Sequence, residues 1–278
     1  MASTSIRWAF NWANWHPTEK DLLKVVSCLQ NEEKERLGKF VFRKDFRASV
    51  VGRLMMRKFI NEYTDIPYNE IIFTRDQNNK PMLENASKSI AFNISHQGSF
   101  TVFVGEIRNV KLGVDVMKLE YTGGKRLSEF FRLMDRNFSP AEWIEIRGGT
   151  GTPESEQTAM FCRYWALKES YVKGLGVGIV IDLRNIEFRT SSRLRENELV
   201  IDTSLYINGV RQNWFFEESL LDSEHCVAVA VQGIESVNSS KNVLFEKISI
   251  GKLLENAVSL IPQDPEYCRQ YFAKRERP

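Results

Sequence analysis

The chain opens on a simple alternation. Ile6-Arg7-Trp8-Ala9-Phe10 has the two-residue period of a strand, and Pro17 with Glu19 then begins a helix that turns Leu22, Leu23, Val26 and Leu29 inward. Residues 32–37 predict a short charged helix. The longest helical pattern of the first half spans residues 44–63, where Phe46, Val50, Val51, Leu54, Met55 and Phe59 recur at intervals of three and four. Residues 71–75 predict a strand that ends in the turn Asp76-Gln77-Asn78-Asn79-Lys80-Pro81, whose asparagines tolerate left-handed backbone. Residues 90–94 and 100–104 predict partner strands joined by the bend Ser95-His96-Gln97-Gly98.

In Leu112-Gly113-Val114-Asp115-Val116-Met117 the alternation sends Val114 and Val116 one way and Asp115 the other. A helix follows over residues 129–135, and Ser139-Pro140-Ala141-Glu142 is a capping box that begins another. Thr152-Pro153-Glu154 starts a long helix that Gly174 is expected to stop. On it Trp165, Glu169 and Lys173 stand four apart and share a face, while Tyr164, Leu167 and Tyr171 line another. Strands are expected over residues 179–183, 186–188 and 226–231. A hairpin joins 199–207 to 210–216 across Asn208-Gly209. Residues 233–242 read as a linker, 243–258 as a strand and a helix, and 273–278 as a frayed end.

Length allows two lobes: 278 residues, 42% of them hydrophobic, can build more than one core. The formal charge is only +2, from 38 basic and 36 acidic residues, which argues against wholesale binding to nucleic acid or an anionic membrane. Cys28, Cys162, Cys226 and Cys268 are scattered, with no C-x-x-C pair, so neither a zinc cluster nor a disulfide framework is indicated. Residues 1–14 lack an apolar targeting core, and no run reaches the ~18 apolar residues of a membrane span. A cytosolic location is expected.

Several pieces carry chemistry, and each has a plain structural reading beside it. Glu169 and Lys173 suit an ordinary i, i+4 ion pair worth ~0.3–0.5 kcal/mol. Asp115 and Glu169, on a strand and a helix, also suit a shared divalent cation. Arg75 and Lys80 beside a turn would clamp a phosphate, or would decorate a polar hairpin. Arg43, Lys44, Arg47, Arg53, Arg57 and Lys58 make the helix over 44–63 basic; a solvated face is the commoner meaning, and an acidic partner or nucleic acid the rarer one.

Gly113-Val114-Asp115, followed by Trp165-x-x-Lys168-Glu169-Ser170-Tyr171-x-Lys173-x-x-Gly176-x-Gly178, resembles the signature of the larger, two-lobed 4'-phosphopantetheinyl transferases. The resemblance extends through Glu32 to Arg36, Arg75 to Pro81, Phe92 to Gly98 and Phe215 to Ser219, and covers most of residues 6–232. It implies an α+β fold of two similar lobes in pseudo-twofold relation, each a long helix packed on a small antiparallel sheet. The lobes would span residues 1–111 and 112–232, with 233–278 as linker and extension.

The same resemblance implies a monomeric, magnesium-dependent enzyme of holo-acyl-carrier-protein synthase type. It would transfer phosphopantetheine from coenzyme A to a serine of acyl or peptidyl carrier domains, of the fatty acid synthase and aminoadipate-semialdehyde dehydrogenase types. Coenzyme A would be held by Arg36, Arg75, Lys80, Asn93, Ile94, Ser95, His96, Lys168, Glu169 and Lys173. Glu169 would serve as base, directly or through water, and Lys173 would stabilise phosphate charge or protonate the leaving group. The family's Asp-x-Glu metal pair here reads Asp115-Val116-Met117, and methionine is a poor magnesium ligand. The metal set is therefore expected to be Asp115, Glu169 and either Gln97 or water.

Rival templates fail. There is no G-x-x-x-x-G-K-[ST] loop and no G-x-S-x-G elbow, and Gly174-x-Gly176-x-Gly178 follows a helix, the reverse of the dinucleotide fingerprint. Two alternatives remain: a non-catalytic adaptor that docks carrier proteins through the basic helix near Arg47, motivated by Met117, and a nucleic-acid binder using that helix.

Overall fold

The computed structural model describes residues 4–77, 80–85, 89–176, 182–233 and 243–277. Strand β1 (Ser5–Asn11) leads to helices α1 (Glu19–Ser27), α2 (Asn31–Gly38) and the long α3 (Arg43–Tyr63). A short hairpin, β2 (Phe73–Arg75) and β3 (Pro81–Leu83), precedes β4 (Ile90–Gln97) and β5 (Phe100–Ile107). The second lobe begins with β6 (Lys111–Lys118), followed by α4 (Leu127–Leu133), α5 (Pro140–Arg147) and the long α6 (Glu154–Leu175). Another small sheet, β7 (Ile186–Arg189), β8 (Ser204–Ile207) and β9 (Val210–Arg211), precedes β10 (Phe215–Asp222) and β11 (His225–Gln232).

The two halves follow one path. In each, a strand runs into a long helix, then a small sheet, then a hairpin whose last strand pairs back onto the first, giving the orders β1-β5-β4 and β6-β11-β10. Helix α3 packs on the first sheet through Phe46, Val50, Val51, Leu54, Met55 and Phe59, and α6 on the second through Phe161, Leu167 and Tyr171. A third core joins the lobes: Val102 and Val104 of β5 meet Val114 and Val116 of β6 and Val227, Val229 and Val231 of β11. Both faces of β5 are therefore buried. Arg7 adds a wholly buried ionic link between the lobes, at 2.8 Å to Glu106 of β5 and 2.7 Å to Glu217 of β10. The α+β, two-lobed expectation is met.

Several boundaries differ from the sequence reading. Gly174 lies inside α6, which runs on to Leu175 and is capped by Gly176 at φ 73°, the left-handed geometry that glycine adopts freely. The hairpin turns at Asn208 and Gly209 as expected, but its strands are short, because residues from 215 onward leave it to pair with β11. The strand expected over 179–183 falls outside the described residues as far as 181, and its described end is a 3-10 turn, Leu183–Asn185. The linker expected at 233–242 lies outside them beyond Gly233, as do Asn78 and Asn79 of the β2–β3 turn and Val177 and Gly178 of the long motif.

The last segment is not frayed through its described part. Strand β12 (Glu246–Lys247) adds in parallel to β1, and α7 (Ile250–Leu254) and α8 (Pro265–Ala273) pack on the first lobe. Arg43 N donates to Arg275 O at 2.9 Å, and Glu276 pairs with Arg43 and Arg47. The extension belongs structurally to the first lobe.

Candidate active site

A pair of glycines sets the distance between β6 and α6. A Cβ on Gly113 would stand 2.0 Å from Ser170 O and 2.4 Å from the Gly174 nitrogen, so only hydrogen fits there. The strand consequently lies directly on the helix backbone. Because side chains alternate, Gly113, Asp115 and Met117 face α6 while Leu112, Val114 and Val116 enter the core between the lobes.

Asp115 is nearly buried, and Lys173 reaches it: Nζ donates to Asp115 Oδ1 at 2.6 Å and to Ser95 Oγ at 2.9 Å. The Ser95 hydroxyl donates to the same Oδ1 at 2.8 Å. The ammonium thus turns across the cleft to the strand, and no Glu169–Lys173 ion pair forms among the described residues. Glu169 makes no hydrogen bond among them either. Burial and then the negative charge of Asp115 raise its pKa above the ordinary carboxylate value, against the opposing pull of Lys173. Two carboxylates that repel one another, one without a hydrogen-bond partner among the described residues, mark a place for positive charge.

The other wall is β4, which runs beside β6 in the same direction with no ladder between them among the described residues; side chains make the link. Asn93 Oδ1 accepts from Val114 N at 3.3 Å and Gln97 Oε1 from Lys118 N at 2.5 Å, with Ser95 between them on Asp115. Phe92, Ile94 and His96 point to the opposite side, where the Ile94 Cδ1 would stand 2.3 Å from a Cβ on Gly52 of α3. His96 stands exposed at the end of the strand, and loss of solvent around its ring, then the charge of Lys173, lower its pKa.

A cavity of about 270 Å³ opens between these walls, lined by Lys80, Phe92, Asn93, Ile94, Glu169 and Lys173 among others. Burial lowers the Lys80 pKa, with Asp76 opposing. Arg75 Nε lies 3.1 Å from Glu32 Oε1, which ties the β2–β3 hairpin to α2, the helix that carries the exposed Arg36. A larger hollow of about 590 Å³ lies beside α5 and α6 in the second lobe, and none of the expected site residues lines it. Chemistry, not size, selects the cleft.

Lys168 does not join this group. Its ammonium, fully buried on the far side of α6, donates to Leu183 O at 2.9 Å and Ile186 O at 2.6 Å and pairs with Glu142 at 2.8 Å. All three donors are used, so it cannot take a phosphate in the cleft. Lys168→Met is expected to lower the unfolding free energy by about 3–5 kcal/mol, because Glu142 keeps a buried charge without its cation. Urea unfolding measures this; a variant as stable as the parent would contradict the structural role.

The basic face of α3 is corrected as well. Arg47, Arg57 and Lys58 are buried and paired with Glu276, Glu33 and Glu62 respectively, so the helix offers neither nucleic acid nor an acidic partner a continuous cationic stripe. Arg53, grouped at first with that solvated face, is instead half-buried, with its Nε 3.9 Å from Glu33 Oε1. The only sequence signal for it was its place directly after Gly52, the glycine that admits Ile94.

An acid on a strand and an acid and an ammonium on a helix thus line a cleft between two like-folded lobes, and comparison with known proteins says which family folds this way. Residues 13–108 match the family described as 4'-phosphopantetheinyl transferase, N-terminal, and residues 111–230 match the 4'-phosphopantetheinyl transferase superfamily. The chain belongs to that family. Among its relatives are proteins named L-aminoadipate-semialdehyde dehydrogenase-phosphopantetheinyl transferase: one from Homo sapiens is 38% identical over 98% of this chain and 93% of its own length, and one from Xenopus laevis 35% identical over 99% and 94%. A phosphopantetheinyl transferase from Thraustochytrium sp. is 36% identical over 81% of this chain and 77% of its own.

Proposed function

We propose that the cleft binds coenzyme A with a magnesium ion and moves 4'-phosphopantetheine onto a serine of a carrier domain, as a monomer in a reducing, cytosolic compartment that suits four unpaired cysteines. Carrier domains of aminoadipate-semialdehyde dehydrogenase type, the kind its relatives are named for, and of fatty acid synthase type are its acceptors. The observation that carries this reading is the meeting of Asp115, Glu169 and Lys173 where β6 lies on α6.

The donor set fits magnesium. Two hard carboxylates raise one another's cost of ionisation at a site where, among the described residues, neither Glu169 nor Asp115 Oδ2 has a hydrogen-bond partner, and that repulsion is what a divalent cation removes. Asp115 and Glu169 would hold the ion. The Gln97 oxygen accepts from Lys118 N and keeps a second lone pair; with the amide turned onto that strand, water is assigned the third place, left open by Met117. When bound, the ion would neutralise pyrophosphate charge.

The chain's own groups account for the rest. The carrier serine oxygen forms a bond to the β-phosphorus as the bond to the 3',5'-ADP oxygen breaks, and the serine proton passes to Glu169, directly or through water. Lys173, held in place by Asp115 and Ser95, stabilises the charge that develops on the phosphate oxygens. Lys80 and His96 border the nucleotide, and Asn93 and Ile94 line its wall.

Incubation with coenzyme A, an apo carrier domain and magnesium is the test. The carrier is expected to gain the mass of one phosphopantetheine only when metal is present, and the magnesium titration of Gln97→Ala is expected to match the parent. Binding without mass gain would leave an adaptor. The burial of Arg47 beneath Glu276 removes the surface that an adaptor was expected to use.

A further inference from the structure

His225 opens β11 and is almost wholly buried, at 1% exposure, yet it has no part in the chemistry described above. Both of its ring nitrogens are used. The Ser99 amide donates to Nε2 at 3.1 Å, and Nδ1 stands 2.8 Å from Asp222 Oδ1. An amide can only donate, so Nε2 is the bare nitrogen and the ring proton sits on Nδ1, directed at the Asp222 carboxylate. The tautomer is fixed from both sides.

This bonding crosses between the lobes. Ser99 belongs to the bend that joins β4 to β5, whereas Asp222 and His225 flank the turn between β10 and β11. The bend is shaped to admit the ring: Gly98 stands at φ 60°, and a Cβ on it would lie 2.3 Å from His225 Nε2 and 2.9 Å from Lys118 Cβ. Phe100 meets the imidazole edge to face, with ring centres 5.0 Å apart. The strand entering this bend carries one wall of the cleft, where Gln97 accepts from Lys118 N and Ser95 bonds both Asp115 and Lys173. Because β4 and β6 share no ladder among the described residues, their spacing rests on those side chains and, at the bend, on an imidazole reaching over from the second lobe.

Resting on the transfer reading above, we propose that His225, oriented by Asp222, is a positioning residue that holds the bend over residues 95–99 against β6 and so keeps Ser95 in register with Asp115 and Lys173. It acts through the bend and not on the reacting atoms. A buried amide left without its acceptor draws the bend toward water, and a displacement near 1 Å at the reacting groups costs about 10² in rate.

Amide hydrogen exchange and transfer kinetics on His225→Leu and His225→Gln test this, since glutamine can offer an oxygen near the place of Nε2 and leucine cannot. In His225→Leu the amides of Ser99 and of Lys118, whose partner is Gln97, are expected to exchange at least about tenfold faster, with the amides shared by β10 and β11 unchanged. At a temperature where the variant is folded, its kcat is expected to fall at least about tenfold with KM for coenzyme A within about threefold, and His225→Gln is expected to recover most of both losses. Should His225→Leu fail to fold, Asp222→Ala at a partly exposed position carries the same test, with smaller changes of about threefold from a ring no longer aimed. A lower melting temperature with parental exchange at Lys118 and parental kcat would make His225 merely structural and overturn the proposal, as would a glutamine variant as impaired as the leucine one. A parent that modifies no carrier would remove the transfer reading alone, and the exchange of Lys118 would then decide the positioning by itself.

Discussion

Glu169→Gln is expected to cut phosphopantetheine transfer by about 10²- to 10⁴-fold, the range of a lost general base, while making the metal-free protein more stable at neutral pH. The stabilisation follows from the sign of the shift. Glu169 has a folded-state pKa raised first by burial and then by Asp115, so its protonated form is favoured in the native protein. Its contribution to stability is fully present below the ordinary carboxylate pKa and is lost as pH rises through the raised value. At pH 7 the ionised carboxylate opposes folding, and glutamine removes that opposition. The melting-temperature advantage of Glu169→Gln should therefore shrink as pH falls through the raised value towards the ordinary carboxylate range and vanish below it, and should shrink also when magnesium is added to the parent. Scanning calorimetry across pH, with and without metal, reads both effects. A gap that widens on acidification, or parental turnover in the variant, would show that Glu169 is neither base nor ligand.

Gly113→Ala should be nearly as damaging to activity, through the backbone and without touching a functional group. The added Cβ would sit 2.0 Å from Ser170 O, and a main-chain atom cannot swing aside as a side chain can. Either β6 or α6 must shift. Overpacking of this kind costs about 1–3 kcal/mol, and a displacement near 1 Å between Asp115 and Lys173 costs about 10² in rate. The expected result is a folded protein with a kcat reduced about a hundredfold and a lowered melting temperature. Parental kcat would mean that the close approach of strand and helix does not position the site.

The sequence made the motif residues legible because their spacing maps onto faces: i, i+4 put Glu169 and Lys173 together, and alternation put Asp115 opposite its valines. Face assignment does not say what lies beyond the face, and Lys168 was misplaced for that reason; its side of α6 is closed by Glu142 and the residues 183–186. The buried arginines of α3 misled in the same way, since charge suggests solvent until a distant partner such as Glu276 is seen. The internal repeat left no trace in residue identity but is plain in the path. Three residues into the last strand of each half, Phe103 pairs with Trp8 and Ala228 pairs with Asp115, so an aromatic stacked under α3 occupies the register that holds the acid under α6. One half kept a packing residue where the other acquired chemistry, and no pattern of hydrophobic positions reports such a substitution.

The valine layer shared by the two sheets also governs how visitors reach the cleft. Walls that rest on one seam of hydrocarbon cannot swing apart without wetting it, so no large hinge precedes capture. Opening the walls would expose that apolar seam to water, which favours an entrance already formed before a visitor arrives and spares affinity from reshaping the host.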